Sequence, residues 1–202
     1  MKEMLKITLS LIAIFIAAGV IMGVTYKYTS PVRFAAEKKE KEEALKEMAP
    51  DATDPIKSAG TWTSHEKHYE YYAATANAKP VAFIASTAGK GYSSYILMLV
   101  ALDTEMKIRN INILHHGETP GLGDQVEDRK LFLDQFNGKG LSQLVLVKSE
   151  TTENIQAVSG ATISSRAVTN GVKDAVQTLV DKYGDGFKVA AQGHETGHEV
   201  NK

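Results

Sequence analysis

An uncharged apolar run from Ile7 to Tyr26, ITLSLIAIFIAAGVIMGVTY, constrains this chain more than any other stretch. At about 1.5 Å per residue, a helix of that length covers roughly 30 Å, the hydrocarbon thickness of a bilayer. Lys2 and Lys6 precede the run, and Tyr26 and Tyr28 follow it at interfacial depth. The competing reading is a cleaved signal peptide. Signal h-regions are usually about 7–15 residues long and end at an A-x-A-like site. This run is longer, and the following TYKYTSP offers no such site. The expectation is an uncleaved transmembrane anchor over residues 1–28. Lys27 and Arg33 lie on the far side, so charge bias alone does not set its orientation.

Beyond the anchor, Arg33 to Ala49 reads RFAAEKKEKEEALKEMA. Glu37 with Lys41 and Glu42 with Lys46 are i,i+4 pairs, which predicts a solvated helical stalk over residues 29–50. Acidic residues balance the basic ones, which argues against a lipid-binding patch. Pro50, Asp51, Asp54 and Pro55 then break the pattern. A folded domain is expected over residues 51–189, and a disordered tail without periodicity over 190–202.

Within the domain, Tyr69–Ala76, Pro80–Ser86, Tyr92–Leu102, Met106–Leu114 and Leu141–Val147 read as strands. Met106–Leu114 alternates, with Ile108, Asn110, Asn112 and Leu114 set against Arg109, Ile111 and Ile113. Asp103, Thr104 and Glu105 predict a hairpin turn before it. Asp124–Phe136 reads as a helix with Asp124 as N-cap and Glu127 as its reciprocal partner. Ser164–Tyr183 is a second helix, with Val168, Val172, Val176 and Val180 at i+4 intervals. Antiparallel strands with a few helices give the α+β class.

Composition narrows the chemistry. The formal net charge is −1, so no broad basic field points to nucleic acid. Cysteine is absent, which removes disulfides, thiolate zinc sites and protein-ligated iron–sulfur clusters. Any redox cofactor must be organic or held by His and carboxylates. There is no Walker loop and no G-x-G-x-x-G fingerprint. His115 and His116 adjoin in a strand and point to opposite faces, and His194 and His198 lie in a Gly-rich tail, so no metal site is expected.

The stretch Val158 to Val168, VSGATISSRAV, crowds small residues and hydroxyls at the mouth of the last helix. Gly160 and Ala161 leave room for close approach, and a helix start offers unpaired N–H groups and partial positive charge. That is a phosphate seat. The same residues also suit plain N-capping by Thr162, Ser164 or Ser165. A serine-hydrolase elbow would need G-x-S-x-G, which is missing, as is an S-x-x-K motif.

The stretch resembles the flavinylation motif S-G-A-T-x-[ST] of FMN-binding domains. The resemblance implies FMN carried as a phosphoester on Thr162, with Ser159, Gly160 and Ala161 forming the approach and Ser164 at the downstream hydroxyl position. A second stretch, Glu118-Thr119-Pro120-Gly121-Leu122-Gly123, resembles the E-T-P-G-L-G signature of the G subunit of Rnf electron-transport complexes and of the related C subunit of sodium-pumping NADH:quinone reductase. The order of the two signatures, the N-terminal anchor and the GKGYSS stretch, Gly89 to Ser94, fit as well. Chain length favours the Rnf subunit.

The resemblance implies an electron-carrying subunit of a membrane-bound, ion-translocating ferredoxin:NAD oxidoreductase, with no substrate site of its own. It implies modification by a separate flavin transferase and an FMN domain on the extracytoplasmic side. Implied partners are integral membrane subunits, one also carrying covalent FMN, and cytoplasmic iron–sulfur subunits. The Pro120–Gly123 turn would touch the flavin ring, with Glu118 and Thr119 at its polar edge. The alternatives are the quinone-reductase C subunit and, in another class, a non-redox anchored binding module whose S-G-A-T only caps a helix.

Overall fold

The computed structural model describes residues 2–64 and 67–183. The chain divides into two units, Met1–Glu42 and Glu43–Lys202. Helix α1, Lys2–Met48, runs without a break from the first into the second.

In the first unit the apolar window of α1 has a mean hydropathy of 2.6, with none of it buried inside the protein. Length and composition both suit a membrane span. Hydroxyls in and beside this run are satisfied locally: Thr8, Ser10 and Thr25 each donate to the carbonyl four residues back. Pro31 sits inside the helix and supplies no N–H to its ladder. The charged pairs include cations beyond the expected ones. Glu37 meets Arg33 at 2.8 Å and Glu42 approaches Lys38 at 3.9 Å, so each glutamate turns toward the cation one turn before it. Cations stand at both i−4 and i+4, and in the first pair it is Arg33 Nε–H that donates to Glu37. All four side chains are more than half exposed, so such pairs add little to stability.

The second unit is built on one antiparallel sheet. Its strands are β1 (Lys57–Ser64), β2 (Lys67–Ala76), β3 (Lys79–Lys90), β4 (Tyr95–Leu102) and β5 (Ile108–His115). They lie in sequence order, each hydrogen-bonded to the next. Helix α2, Thr162–Tyr183, covers one face. Its Val168, Val172, Ala175, Val176 and Leu179 share a core with Phe83, Met98, Val100 and Leu102. On the other face Ala44, Leu45, Met48 and Ala49 pack on Tyr72, Ala74, Ala82, Ile84, Leu99 and Ala101. β4 therefore has apolar cover on both sides. This is why Tyr95–Leu102 reads as an unbroken apolar run and not as an alternating strand. The last turns of α1, expected to be stalk, are packed core.

Four local readings are corrected. Asp124–Phe136 is two short 3₁₀ turns, Gly123–Glu127 and Leu133–Phe136, and no α-helix. Aspartate side chains compete for the amides: Asp124 Oδ2 accepts from Gly121 N and Asp128 Oδ1 from Leu131 N. Leu141–Val147 begins as a 3₁₀ turn, closed by Gly140 N–H donating to Gln143 Oε1. Only Leu146–Val147 (β6) is extended there, paired in parallel with Ile155–Gln156 (β7). A bulge between Ala101 and Leu102 shifts the register of β5. It brings Ile108 into the same core as Ile111, on the α2 side. Finally, α2 starts at Thr162, two residues before the expected Ser164. The expected tail and its His194 and His198 lie outside the described residues.

The sheet and α2 touch backbone to backbone. A Cβ on Gly89 would stand 1.9 Å from Ala167 O, and one on Gly171 3.2 Å from Gly89 N. Thr87 Oγ1 donates to Gly171 O at 3.1 Å, closing the same crossing. Gly89→Ala should therefore destabilise the chain by about 1–3 kcal/mol, the usual cost of overpacking. Gly140→Ala, which points into open space, should stay within about 0.5 kcal/mol. Urea denaturation of the full-length chain in detergent measures both. Equal midpoints for Gly89→Ala and wild type would contradict the close crossing.

Candidate functional site

The hydroxyl-rich turn enters α2 through Gly160, whose φ of 80° is a conformation that suits glycine. Ala161 N–H donates to Val158 O, and Ser165 N–H donates to Ala161 O as the first helical bond. Ser165 ties the approach turn to the helix: its Oγ accepts from Val158 N–H at 3.0 Å and donates to Ala161 O at 2.9 Å. Ser164 is also committed, donating to Glu118 Oε2 at 2.5 Å. These two serines are 2% and 0% exposed. Thr162, at the first helical position, is half-buried, and its hydroxyl has no hydrogen-bond partner among the described residues. Ser159 is exposed on the turn, ahead of the helix.

Glu118 is the centre of the site. It is 5% exposed, although it looks like a surface residue in sequence. Its carboxylate accepts from Tyr92 N–H (3.0 Å), Ser93 N–H (3.0 Å), Ser94 N–H (3.1 Å) and the Ser164 hydroxyl. Four donors match the acceptor capacity of an ionised carboxylate. Burial pushes the carboxyl up, but Ser164 and the three amides outweigh it and hold Glu118 below the ordinary glutamate value. Two glycines make the room. A Cβ on Gly91 would lie 2.5 Å from Glu118 Oε1, and one on Gly123 would lie 2.9 Å from Glu118 Cβ and from Ser164 Oγ.

The neighbouring turn is held from several sides. Thr119 O accepts from Leu122 and Gly123 N–H. Ser94 Oγ accepts from Gly117 N–H at 2.7 Å. His116 Nδ1 accepts from Glu118 N–H, which leaves its ring proton on Nε2 facing Glu127 Oε2 at 2.9 Å. Glu127 thus pairs with His116 instead of capping a helix at Asp124. Thr119, Pro120, Gly121 and Leu122 are exposed, while Gly123 is buried against Glu118. Leu122 Cδ2 lies 3.6 Å from where a Gly160 Cβ would be. The two sequence signatures therefore meet in space. Sequence reasoning missed the amide donors of residues 92–94, because nothing local in GKGYSS marks an amide as a partner for a distant carboxylate. No cluster of three or more metal-ligating side chains occurs among the described residues.

The family model for the FMN-binding domain matches residues 91–177, which span all three segments joined at Glu118. The G subunit of the proton-translocating ferredoxin:NAD(+) oxidoreductase complex of Clostridium ljungdahlii is 35% identical over 179 residues, 88% of this chain and 92% of that protein. The G subunit of the Na(+)-translocating complex of Acetobacterium woodii is 36% identical over 117 residues, 55% of this chain and 56% of that protein. The solved structure of Shewanella oneidensis NqrC shares the fold, with a TM-score of 0.50 and 24% identity over 69% of this chain and 72% of that one. Fold and site thus define an FMN-binding domain behind an apolar helix that anchors it in a membrane complex. The chain belongs to the G subunits of ion-translocating ferredoxin:NAD(+) oxidoreductase complexes, the redox enzymes named Rnf.

Removing the Glu118 carboxylate leaves its donors without a partner, so Glu118→Ala should cost about 1–3 kcal/mol or more at neutral pH. Because folding lowers the pKa of this carboxyl, its contribution is present above the ordinary value of 4.5 and is lost as pH falls through the lower folded value. Wild type should lose stability more steeply than Glu118→Gln across that acid window. Identical acid slopes in chemical denaturation would contradict an ionised, hydrogen-bonded Glu118.

Proposed function

We propose that Thr162 carries FMN as a phosphoester on Oγ1, and that the chain thereby serves as a fixed electron carrier within its complex. One observation supports this above the others. Of the hydroxyls at the mouth of α2, Ser164 and Ser165 are buried and bonded, whereas Thr162 stands at the first helical position with its hydroxyl unpartnered among the described residues. Ser159 is open too, but it lies ahead of the helix, away from the unpaired amides of the first turn.

The residues present fit the cofactor. A phosphodiester at Thr162 keeps one negative charge, which the start of a 22-residue helix stabilises by about 0.3–1 kcal/mol. Gly160 leaves its side of the turn open, with only Leu122 Cδ2 within 4 Å of a would-be Cβ. FMN, when bound, supplies a carrier that passes electrons singly or in pairs. The chain's part is to keep the carrier from diffusing away, and an ester does so. Glu118 has its hydrogen-bonding capacity taken up by the chain. It therefore acts on the flavin through its fixed charge, which disfavours anionic reduced forms and lowers the potential. Thr119 and the Pro120–Gly123 turn, exposed except for Gly123, remain the groups offered to the ring.

In this reading the anchor holds the FMN domain on the extracytoplasmic side, where a free flavin would be lost. Electrons pass between this chain and integral membrane subunits, one with its own covalent FMN, while cytoplasmic iron–sulfur subunits handle ferredoxin and NAD. The chain has no cysteine to ligate a cluster itself. The ester is made by a separate flavin transferase using FAD and a divalent metal, so Thr162 needs no adjacent base. The residue division is an anchor over 1–28, a helical stalk over 29–50, and the FMN-binding domain beyond. The last turns of the stalk pack into that domain.

Co-expression with a flavin transferase should add the mass of an FMN ester to wild type and leave Thr162→Ala unmodified, with Thr162→Ser partly modified. An FMN ester persisting on Thr162→Ala would refute the assignment. Sidedness has a direct check, because the chain has no native cysteine. The exposed Ser142, changed to Cys, should react with a membrane-impermeant maleimide in intact spheroplasts. Labelling only after lysis would place the domain inside.

A further inference from the structure

We infer that His116 is a positioning residue that makes the hold on Glu118, and through Glu118 the potential of the flavin, depend on pH. The flavin half of this inference rests on the Thr162 reading. The half that concerns the turn does not.

An Asn or Asp side chain often accepts from the backbone N–H two residues on, which closes a local turn. His116 takes that place here: its Nδ1 accepts from Glu118 N–H at 3.2 Å. Glu127 Oε2, 2.9 Å from Nε2, keeps the ring proton on the other nitrogen. The His116 side chain is 15% exposed and that of Glu127 56%, so the pair is within reach of water. The next amide is fixed as well. Gly117 N–H donates to Ser94 Oγ, and Ser94 N–H donates to Glu118 Oε1. Backbone and carboxylate of the 117–118 turn are thus tied to one loop. Serine does not titrate, whereas histidine is the side chain whose charge ordinarily changes between about pH 5 and 8.

A second proton on the His116 ring turns Nδ1 from acceptor into donor. Glu118 N–H then faces another N–H, and a part-buried amide loses its acceptor. The Nε2–H bond to Glu127 survives as a charge-assisted bond, so the ring stays and the turn gives way. Charge acts on the flavin in a fixed direction. An imidazolium two residues from Glu118 offsets the carboxylate and favours anionic reduced forms, so the potential rises as pH falls.

The other charged groups nearby have partners of their own. The Glu118 carboxylate is engaged by the amides of residues 92–94 and by Ser164. Asp124, on the same 3₁₀ turn as Glu127, accepts from Gly121 N–H. Glu47, Asp128 and Arg129 stand with Glu127 around a cavity beside β5, where Arg129 bonds Asn110 and approaches Asp134. His115 is exposed at the end of β5.

Two substitutions separate the two states. His116→Asn keeps an oxygen that closes the same turn and cannot titrate. His116→Gln is one methylene too long for that turn and removes the acceptor. The Glu118 amide proton, followed by NMR in the full-length chain in detergent and without flavin, reads the turn. In wild type it should move upfield between about pH 8 and 5, as its hydrogen bond is lost. Glu118's own carboxyl, held below the ordinary glutamate value, does not titrate in that range. His116→Asn should hold the alkaline position throughout, and His116→Gln the acid one. No movement in wild type, or equal movement in wild type and His116→Asn, would overturn the inference. That comparison decides the matter even if His116→Gln does not fold. In the flavinylated chain, wild type should show an extra rise of potential with falling pH that His116→Asn lacks. Intact mass separates the readings: no ester on Thr162 sinks that assignment and the flavin half together, whereas an ester with parallel potential–pH curves sinks the flavin half alone.

Discussion

A carboxylate taken out of water needs every lone pair answered, and Glu118 has its lone pairs answered from two distant parts of the chain. The loop between β3 and β4 gives three consecutive amides. The first turn of α2 gives a hydroxyl. Glu118 itself belongs to the turn that follows β5. Ile96, Val126, Val158 and Ala161 bring the three segments to one core, and the charge fixes the loops above it, where Thr119, Pro120, Gly121 and Leu122 are exposed. Gly91 and Gly123 are glycines for the same reason. Neither has a positive φ, and what excludes a side chain is the carboxylate and its neighbours.

The position of that clamp is set by the packing beneath it. Helix α2 crosses β3 so closely at Gly89, Ala167 and Gly171 that the backbones themselves are in contact. Its apolar stripe from Val168 to Leu179 then has only one way to lie on the sheet. The helix start, with its unpaired amides, is thereby brought to the end of the sheet where the loop after β3 and the turn after β5 emerge. Local charge, helix packing and the chemistry of the Thr162 hydroxyl form a single chain of cause. Ser164 and Ser165 are consumed in building the site, which leaves Thr162 to be used by it.

Much of this was legible in the sequence. The i+4 valines marked α2, the apolar run marked β4, and Asp103 before an alternating stretch marked the β4–β5 hairpin. The parts that were not legible share a physical cause. β1, KSAGTWTS, is a mostly exposed edge strand with few apolar residues, so no hydrophobic period marks it. The 3₁₀ turns of residues 123–143 carry helix-like apolar spacing, and side-chain competition from Asp124, Asp128 and Gln143 overrode it. Local spacing could not say which hydroxyls the fold uses up, because Ser165 reaches back to an amide seven residues earlier. Glu118 was singled out through its motif, yet its partners in residues 92–94 exist only in three dimensions.

The central claim is that Thr162 is the hydroxyl left available within the first turn of α2 and that this oxygen bears the flavin. Peptide mapping of the protein isolated from its own membranes tests it most directly. Trypsin should release residues 149–166 as one peptide. The account predicts that fragmentation of this peptide places an FMN phosphoester on Thr162 and leaves Ser159, Ser164 and Ser165 bare. An unmodified peptide from cells with an active flavin transferase, or the flavin found on any of those serines, would contradict it.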